Sequence, residues 1–486
     1  MASKKELLQA QTFSRRRLLT AFVSGAPGGR ELEPAKPLRG VITSLVLSVL
    51  VVGGSLIAGL FTGEQDEDWK VNSLVVVEET GARYVAVNGE LHPVHNITSA
   101  RLLAFADTFR VVNLSESDLE EVPRGDVTVG IPGAPDALPP PQNLINNQWL
   151  SCAVEPDAEW TSLRADREDP QTTNAALVRV DDQIHYVYEG YRYALDTDDL
   201  NALSHVLEFH PDDARDVSGR WLNIFTEGTP LERFSVPDFG AVPPGPAAGL
   251  DVDLTVGSVV LLRNAQGQTG APHVLDDEGV LVELTPMAVA LYYLGSGLGP
   301  DDVITLDYSE RQQLEVDPGS SLVPSDWPRQ IPEVLDGQTT PCVHLSRAAA
   351  EEENNTGAGT AAAASDEGSG HGQTRLHVVA AEEDMSRGPV EVDAGHGALV
   401  RLDGGGAQGA WIMVDERGTM YHIPQGHRQV LDLLGYADVE PPPVPAAWAG
   451  LFRPGPGLTV ESARSGLPVE AINGMDQYVA EPAEDE

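Results

Sequence analysis

Residues that could take part in catalysis occur in this 486-residue chain, but their spacing does not match a catalytic motif. A nucleophile needs a base beside it, and no G-x-S-x-G sequence provides a nucleophile signature. Nucleotide hydrolysis would need a loop such as G-x-x-x-x-G-K-S/T, and "GAPGGRELE" at 25–33 lacks its lysine. We therefore assign no catalytic, cofactor-binding or metal-binding residue. Four histidines in or near predicted strands and turns are interpreted as structural: His92, His95, His185 and His396.

Two cysteines, Cys152 and Cys342, are the next candidates for chemistry. Neither has a C-x-x-C neighbour, so a zinc site would lack ligands at the usual spacing. An even number of thiols can pair completely in an oxidising compartment. If this part of the chain lies outside the cytoplasm, we predict a Cys152–Cys342 disulfide that joins two distant segments into one central domain.

The compartment depends on the N-terminal stretch "TFSRRRLLTAFVSGAPGG", residues 12–29, which has the arginines of a twin-arginine export signal. In such a signal a short apolar segment and a small-residue cleavage site follow closely. Here the uncharged run begins only at Val41, continues to Phe61 and has no clear A-x-A site after it. This length is enough to cross a bilayer. The pattern favours a single retained transmembrane helix at 41–61, and a cleaved signal is the alternative.

The charge on either side of this segment predicts its orientation. Residues 1–40 carry eight Lys or Arg against three Asp or Glu, whereas "GEQDEDWK" at 63–70 is acidic. Cytoplasmic flanks of membrane spans carry an excess of basic residues. We therefore expect the head in the cytoplasm and the body outside it. The orientation is set by basic residues that include Arg15, Arg16, Arg17, Arg30, Lys36 and Arg39.

Strong acidity limits the partners of the body. The whole chain has a net charge of −43, and removal of the head leaves 23 basic and 71 acidic residues. Nucleic acids and anionic membranes are bound through clustered Lys and Arg, so the body should bind neither. The acidity favours solubility, and a cationic partner is the alternative.

Internal similarity predicts repeated modules. "ALVRV" at 176–180 and "ALVRL" at 398–402 each begin a strand pattern that continues through a glycine turn to a short helix, and two fainter copies resemble them. The glycines lie 101, 89 and 139 residues apart, which is too wide and too uneven for a stacked solenoid. Chance similarity among hairpins is the alternative, because the matched segments are short. The turns are Asn88-Gly89, Glu189-Gly190, Glu278-Gly279 and Arg417-Gly418.

These patterns divide the chain into an anchor and an α+β body. We expect four small repeat modules around a disulfide-linked central β-rich domain, in an elongated body because each module buries only a small core. The predicted order is a cytoplasmic basic head at 1–40, a transmembrane helix at 41–61, module 1 at 62–140, a central segment at 141–172, module 2 at 173–245, module 3 at 246–330, a second central segment at 331–397 with a disordered insertion at 351–373, module 4 at 398–465 and an acidic tail at 466–486.

Several stretches together resemble one protein family. They are the basic head "SRRRLLTAFVSGAPGGRELEPAKPLRG", the single span, "NGELHPVHNITSARLL", the two distant cysteines and "GHGALVRL". In combination they look like the EccB family, a membrane core subunit of actinobacterial type VII (ESX) secretion systems. The resemblance covers the chain except 351–373. It implies an inner-membrane complex with an FtsK-like ATPase, a multi-spanning channel subunit, a further core subunit and a subtilisin-like protease.

Three functions are compatible with the sequence. The first is a structural and interaction subunit of a secretion channel, indicated by the repeats, the anchor and the resemblance. The second is an extracytoplasmic ATPase or other hydrolase, which would need convergent carboxylates or histidines in a pocket. The third is a cell-wall-binding module. Its sugar-stacking surface would come from aromatic side chains that also have the alternation of strand packing: Tyr186, Tyr188, Tyr191, Tyr193 and Trp411.

Overall fold

The computed structural model describes residues 4–24, 67–70, 72–104, 109–317, 322–347, 374–383, 385, 388–403, 409–424 and 428–467. The predicted membrane segment 41–61, the insertion 351–373 and all but the first two residues of the tail 466–486 lie outside this part. No helix within the described residues is both long enough and apolar enough to cross a bilayer.

The chain divides into two units, Met1–Asp68 and Trp69–Glu486. The first unit contains helix α1 (Lys4–Ser24). Its sequence is rich in Leu, Lys, Arg, Gln and Ala, all strong helix formers, and it ends directly before Gly25. The second unit is a mixed α+β structure of several small sheets.

The first sheet shows how local sequence produces these elements. Its order is β3-β2-β1-β4. Asn88 and Gly89 have φ values of 52° and 82° at the turn between its second and third strands, a left-handed conformation suited to Asn-Gly. The Asn96 side chain caps the following helix by accepting a hydrogen bond from the Ser99 amide at 2.9 Å. The elements are β1 (Ser73–Val77), β2 (Arg83–Val87), β3 (Glu90–Pro93), α2 (Ile97–Leu103) and β4 (Arg110–Leu114).

A hairpin of β5 (Trp149–Glu155) and β6 (Ala158–Leu163) then begins the central sheet, and two further sheets follow before that sheet is completed. The second sheet has the order β10-β7-β8-β9-β11. It contains β7 (Ala176–Val180), β8 (Gln183–Tyr188), β9 (Tyr191–Ala194), α3 (Leu200–Val206), β10 (Arg215–Asp216), α4 (Gly219–Leu222) and β11 (Thr226–Glu227).

The third sheet repeats this plan, in the order β15-β12-β13-β14-β16. The Thr285 side chain caps its long helix, and Pro286 occupies the first helical position. The elements are β12 (Val259–Arg263), β13 (Thr269–Leu275), β14 (Leu281–Glu283), α5 (Pro286–Ser296), β15 (Ile304–Leu306), α6 (Tyr308–Arg311) and β16 (Val316–Asp317).

The central and fourth sheets complete the unit. The central sheet has the order β18-β17-β5-β6-β19, and the fourth has the order β23-β20-β21-β22-β24. The central sheet adds β17 (Pro341–Arg347), β18 (Thr374–Ala380) and β19 (Val390–Val392). The fourth sheet and its flanks contain β20 (Ala398–Asp403), β21 (Trp411–Val414), β22 (Thr419–Ile423), α7 (Arg428–Leu434), β23 (Pro443–Pro445), β24 (Arg453–Pro454) and α8 (Val460–Ala463).

The second, third and fourth sheets have the same topology. Three antiparallel strands form the middle, and a strand parallel to its neighbour lies on each edge. A helix joins the third strand to the first parallel edge strand, which is the crossover that parallel pairing requires. The first sheet has the same order, with an isolated parallel bridge between Leu91 and Arg124 on its far edge. Short 3-10 helices lie at Glu67–Lys70, Glu116–Leu119, Pro141–Asn143, Pro211–Asp213, Gly245–Gly249, Pro300–Asp302 and Ala446–Leu451.

Some hydrophobic clusters lie within one sheet and its flanks, as in the first and third sheets, and others are shared between sheets. Leu102 of α2 and Leu431 of α7 belong to one cluster that joins the first and fourth sheets. Leu203 of α3 and Leu291 of α5 belong to another, between the second and third sheets. The physical reason is that a single short helix covers one face of a sheet, so the remaining apolar surface needs a neighbour.

Candidate functional site: the disulfide face of the central sheet

The predicted disulfide lies in the middle of the central sheet. Cys152 on β5 is directly opposite Cys342 on β17, with a Cα–Cα distance of 3.9 Å and a sulfur–sulfur distance of 2.06 Å. Both residues are buried. The prediction of a Cys152–Cys342 bridge is therefore confirmed. Because its ends are 190 residues apart, the loop that it closes contains the whole of the second and third sheets.

Strand alternation gives the central sheet two different faces. Trp149, Val343 and Leu345 point into a large apolar cluster shared with the second and fourth sheets. Cys152 and Cys342 point the other way, into a small cluster that also contains Leu150 and Trp160. We call this second side the disulfide face. His344 follows Cys342 by two residues on the same strand and therefore lies on the disulfide face.

An ion-pair network borders the disulfide face. The Arg167 guanidinium is 2.7 Å from Glu383 Oε1, donates to the Gln148 carbonyl at 2.6 Å and also donates to the Ser162 hydroxyl. Arg164 Nε is 3.3 Å from the other Glu383 oxygen. The Arg167 side chain is only 9% exposed, so its pairing with Glu383 offsets the cost of burying its charge. This network fixes the loop after β6 to the segment after β18.

His344 is the most unusual titratable residue of this face. It is 2% exposed, and neither ring nitrogen has a hydrogen-bond partner. Its ring centroid is 6.4 Å from that of His377, whose Nε2 is 3.1 Å from the Ser346 hydroxyl. Burial, the largest cause, and the nearby charges of Arg167 and His377 together lower the pKa of His344 to about 4. The ring is therefore neutral at physiological pH.

The four histidines that the sequence analysis interpreted as structural lie in different parts of the protein. His92 is buried in the first sheet against Gly125, where an added Cβ would lie 2.4 Å from the His92 Nδ1 atom. His95 is exposed, and His185 and His396 are partly exposed in other parts of the unit. Within the described residues, no group of three His, Cys, Asp or Glu is placed to hold a metal ion.

The hairpin tyrosines pack inward. Tyr186 and Tyr193 are 0% and 1% exposed and belong to the core of the second sheet, where burial raises the pKa of both. The Tyr193 hydroxyl donates to the Asp326 carbonyl. Tyr188 is also buried, and Tyr191 is 36% exposed. Trp411 packs against the core shared by the first and fourth sheets. This arrangement matches strand packing and presents little aromatic surface for a sugar.

A groove of about 410 Å³ lies between the helices of the second and third sheets. Val206 of α3 lines one side, and Val289 and Tyr293 of α5 line the other. Among the described residues that line this groove, none is a carboxylate or a histidine. Its chemistry suits apolar contact.

Three of the six basic residues predicted to set the membrane topology lie within the described residues. Arg15, Arg16 and Arg17 are consecutive exposed residues of α1. Arg30, Lys36 and Arg39 lie outside the described residues. Sequence reasoning did not identify Arg167, Glu383, His344 or His377. The i, i+2 spacing of Cys342 and His344 was the one local signal that could have placed a histidine beside the disulfide.

Comparison with known proteins identifies the family. A family model described as "Type VII secretion system ESX-1, transport TM domain B" matches residues 1–468. The ESX-3 secretion system ATPase EccB3 of Mycobacterium tuberculosis is 26% identical over 500 residues, which cover 90% of this chain and 87% of that protein. The ESX-1 secretion system ATPase EccB1 of the same species is 30% identical over 253 residues. That match covers 47% of this chain and spans about half, 49%, of the relative.

Solved structures show the same fold at lower sequence identity. A structure described as the EccB3 dimer from the ESX-3 core complex has a TM-score of 0.60 and 22% identity, covering 81% of this chain and 99% of that one. A chain from an intact ESX-5 inner membrane complex has a TM-score of 0.59 and 20% identity, with 96% of each chain covered. Because the family match extends over nearly the whole sequence, this chain belongs to the EccB family of type VII secretion proteins.

Proposed function

We propose that this chain is a structural and interaction subunit of a type VII secretion channel in the inner membrane. The observation that carries this proposal is the family match over residues 1–468, which include the basic head, the uncharged segment 41–61 and all five described sheets. In this proposal segment 41–61 is a single transmembrane helix, the head is cytoplasmic and the body is extracytoplasmic.

The body is proposed to consist of four repeat modules on a central domain. The strand order shared by the second, third and fourth sheets supports this organisation, as does the matching position of the helix in all four. The disulfide supports the role of the central sheet, because it joins the strands before and after modules 2 and 3. Such a body holds several binding surfaces in fixed positions, which is the property expected of a scaffold.

Transport is proposed to require other subunits. One apolar segment encloses no pore, and its lipid-facing surface must be covered by lipid or by other spans. The partners expected are the FtsK-like ATPase, the multi-spanning channel subunit, a further core subunit and the subtilisin-like protease. The descriptions of the similar structures, an ESX-5 inner membrane complex and an EccB3 dimer, support assembly of this kind.

Nucleotide hydrolysis is the competing function, because the relatives carry the name ATPase. The scaffold proposal predicts that the purified body hydrolyses nucleotide no faster than background. A turnover that one pocket substitution abolishes without unfolding the protein would overturn this part of the proposal.

The proposal as a whole is tested by replacing the N-terminal region in cells that depend on this protein for secretion. One variant carries residues 62–486 behind a cleavable export signal, and a matched control carries the same residues behind an unrelated single-pass anchor of the same orientation. The exported body should be soluble, absent from the purified membrane complex and unable to support secretion. The control separates loss of membrane location from loss of contacts made by residues 1–61.

Three results would contradict the proposal. The first is normal secretion in cells that lack the protein. The second is a native N-terminus processed near Gly63, which would show a cleaved signal. The third is an active cytoplasmic reporter fused after Glu486, which would reverse the proposed orientation.

A further inference from the structure

Helix α1 exposes a row of large apolar side chains. Leu7, Leu18 and Phe22 are 63%, 70% and 95% exposed, and Leu8 and Leu19 are exposed as well. At 3.6 residues per turn these five side chains fall within an arc of about 120° around the helix axis. A sixth apolar residue, Phe13, is exposed outside this arc. We call the arc the apolar face of α1.

The same helix is strongly basic. It carries five basic residues against one acidic residue, Glu6. Lys4, Gln11 and Arg15 also lie within this arc. The long side chains of Lys4 and Arg15 can bury their aliphatic parts and keep their charges in water. The basic residues are Lys4, Lys5, Arg15, Arg16 and Arg17. A helix with this combination of an apolar arc and positive charge has the chemistry of an interfacial helix on an anionic membrane surface.

The helix also lies within reach of a bilayer, on the condition that segment 41–61 is the proposed anchor. Residues 25–40 join the two, and 16 extended residues span at most about 55 Å. The helix itself is about 31 Å long, enough to cross the hydrocarbon core, but six charged residues oppose insertion across it. A helix that lies parallel to the membrane surface can bury its apolar face in the bilayer and keep its charged groups in water.

We propose that α1 binds the cytoplasmic surface of an anionic bilayer, with its apolar face in the headgroup and acyl-chain boundary and its basic side chains on lipid phosphates. This inference rests on the proposed function for the position of the anchor. It assigns Arg15, Arg16 and Arg17 a binding role beyond their effect on topology. Surface binding would hold the cytoplasmic head at the base of the secretion channel.

The test uses full-length protein in nanodiscs and a fluorophore that reports a nonpolar environment. No cysteine among the described residues is free, so a single introduced cysteine can be labelled selectively with an NBD group. Leu18→Cys places the label on the apolar face. Gln9→Cys is the matched control, because nine residues place it about 180° from residue 18 on the helix. The nanodiscs contain either phosphatidylcholine alone or an equal mixture with phosphatidylglycerol.

The expected result is a several-fold brighter and blue-shifted signal at residue 18 in the anionic nanodiscs, with little change at residue 9. Replacing the three arginines by glutamine should lower the ratio of bound to free helix about 100-fold, because each basic residue near an anionic surface contributes roughly a factor of five. Replacing them by lysine keeps the charge and should keep the signal.

Separate results would contradict surface binding, the role of charge and the proposed anchor. A label at residue 18 that stays in water in both lipids, in protein that co-elutes with the nanodisc, overturns surface binding and leaves the apolar face for a protein partner. Equal blue shifts in both lipids overturn the role of charge. Protein that does not co-elute with the nanodisc contradicts the proposed anchor instead, so the two failures are distinguishable.

Discussion

Loss of the Cys152–Cys342 disulfide is expected to destabilise the central sheet by several kcal/mol. The bridge closes a loop between residues 190 apart in sequence. In the chain-entropy model, closing a loop of this length raises the free energy of the unfolded chain by about 5 kcal/mol. The stability lost when a native disulfide is removed is about 2–5 kcal/mol. The effect should be concentrated in β5 and β17, which otherwise depend on hydrogen bonds and packing to keep their ends together.

Cys152→Ala, Cys342→Ala and the double variant separate the covalent bond from side-chain packing. Each single variant already breaks the bridge, so all three proteins should lose nearly the same stability. Reductant should lower the stability of the wild-type protein and leave the double variant unchanged. Packing alone would instead give two separate losses that add in the double variant.

Native-state hydrogen exchange is the suitable assay, because a protein with several sheets does not unfold in one step. The amides of β5 and β17 should lose protection by a factor that corresponds to about 2–5 kcal/mol. Urea unfolding followed by fluorescence of Trp149 and Trp160, which lie on the strands beside the bridge, provides a second measurement. Unchanged protection of these strands, or additive losses in the variants, would refute the reasoning.

Two further substitutions test burial in the body. Between pH 6.5 and about 4, His344 is protonated in the unfolded chain but neutral in the folded protein. Because the unfolded chain binds the extra proton, the free energy of unfolding should fall by up to about 1.4 kcal/mol for each unit by which the pH falls. His344→Gln should lower the slope in acid unfolding curves by this share, while other histidines whose pKa is lowered by burial keep theirs. The exposed His95→Gln is the control, and equal slopes in the two variants would contradict the prediction. Gly295→Ala places a Cβ 2.0 Å from the Phe234 carbonyl oxygen and should cost about 1–3 kcal/mol in thermal unfolding. Gly249→Ala, which meets nothing within 4 Å, should be nearly neutral, and similar losses at both glycines would oppose this interpretation.

Some features of the site could be predicted from the sequence because they depend on few residues. Two cysteines in one chain leave a single intramolecular pairing, so Cys152–Cys342 needed no knowledge of the fold beyond its compartment. The pairing of the buried His344 with the partly exposed His377 could not be predicted in this way. Their alignment depends on the register of β17 with β18, and 26 residues separate the end of β17 from the start of β18.

The Arg167–Glu383 ion pair could not be predicted from the sequence either. These residues are 216 positions apart, and each looks like an ordinary surface residue in its own segment. Their contact follows from the packing of the loop after β6 beside the segment that follows β18. The domain limits and the membrane orientation stay predictions, since they depend on residues 25–66 and on partners outside this chain.

The sequence by itself determined the local order of strands, glycine turns and helices, together with membership of the family. The strands, turns and helices depend on backbone preferences and on the short-range alternation of apolar and polar residues. Asn88-Gly89 is an example, because both residues take positive φ values at a turn. Only the tertiary structure decided which sheets share a core, as α2 does with α7 and α3 with α5. The physical reason is that a small sheet with one helix leaves an apolar face uncovered, and the element that covers it can come from any distance along the chain.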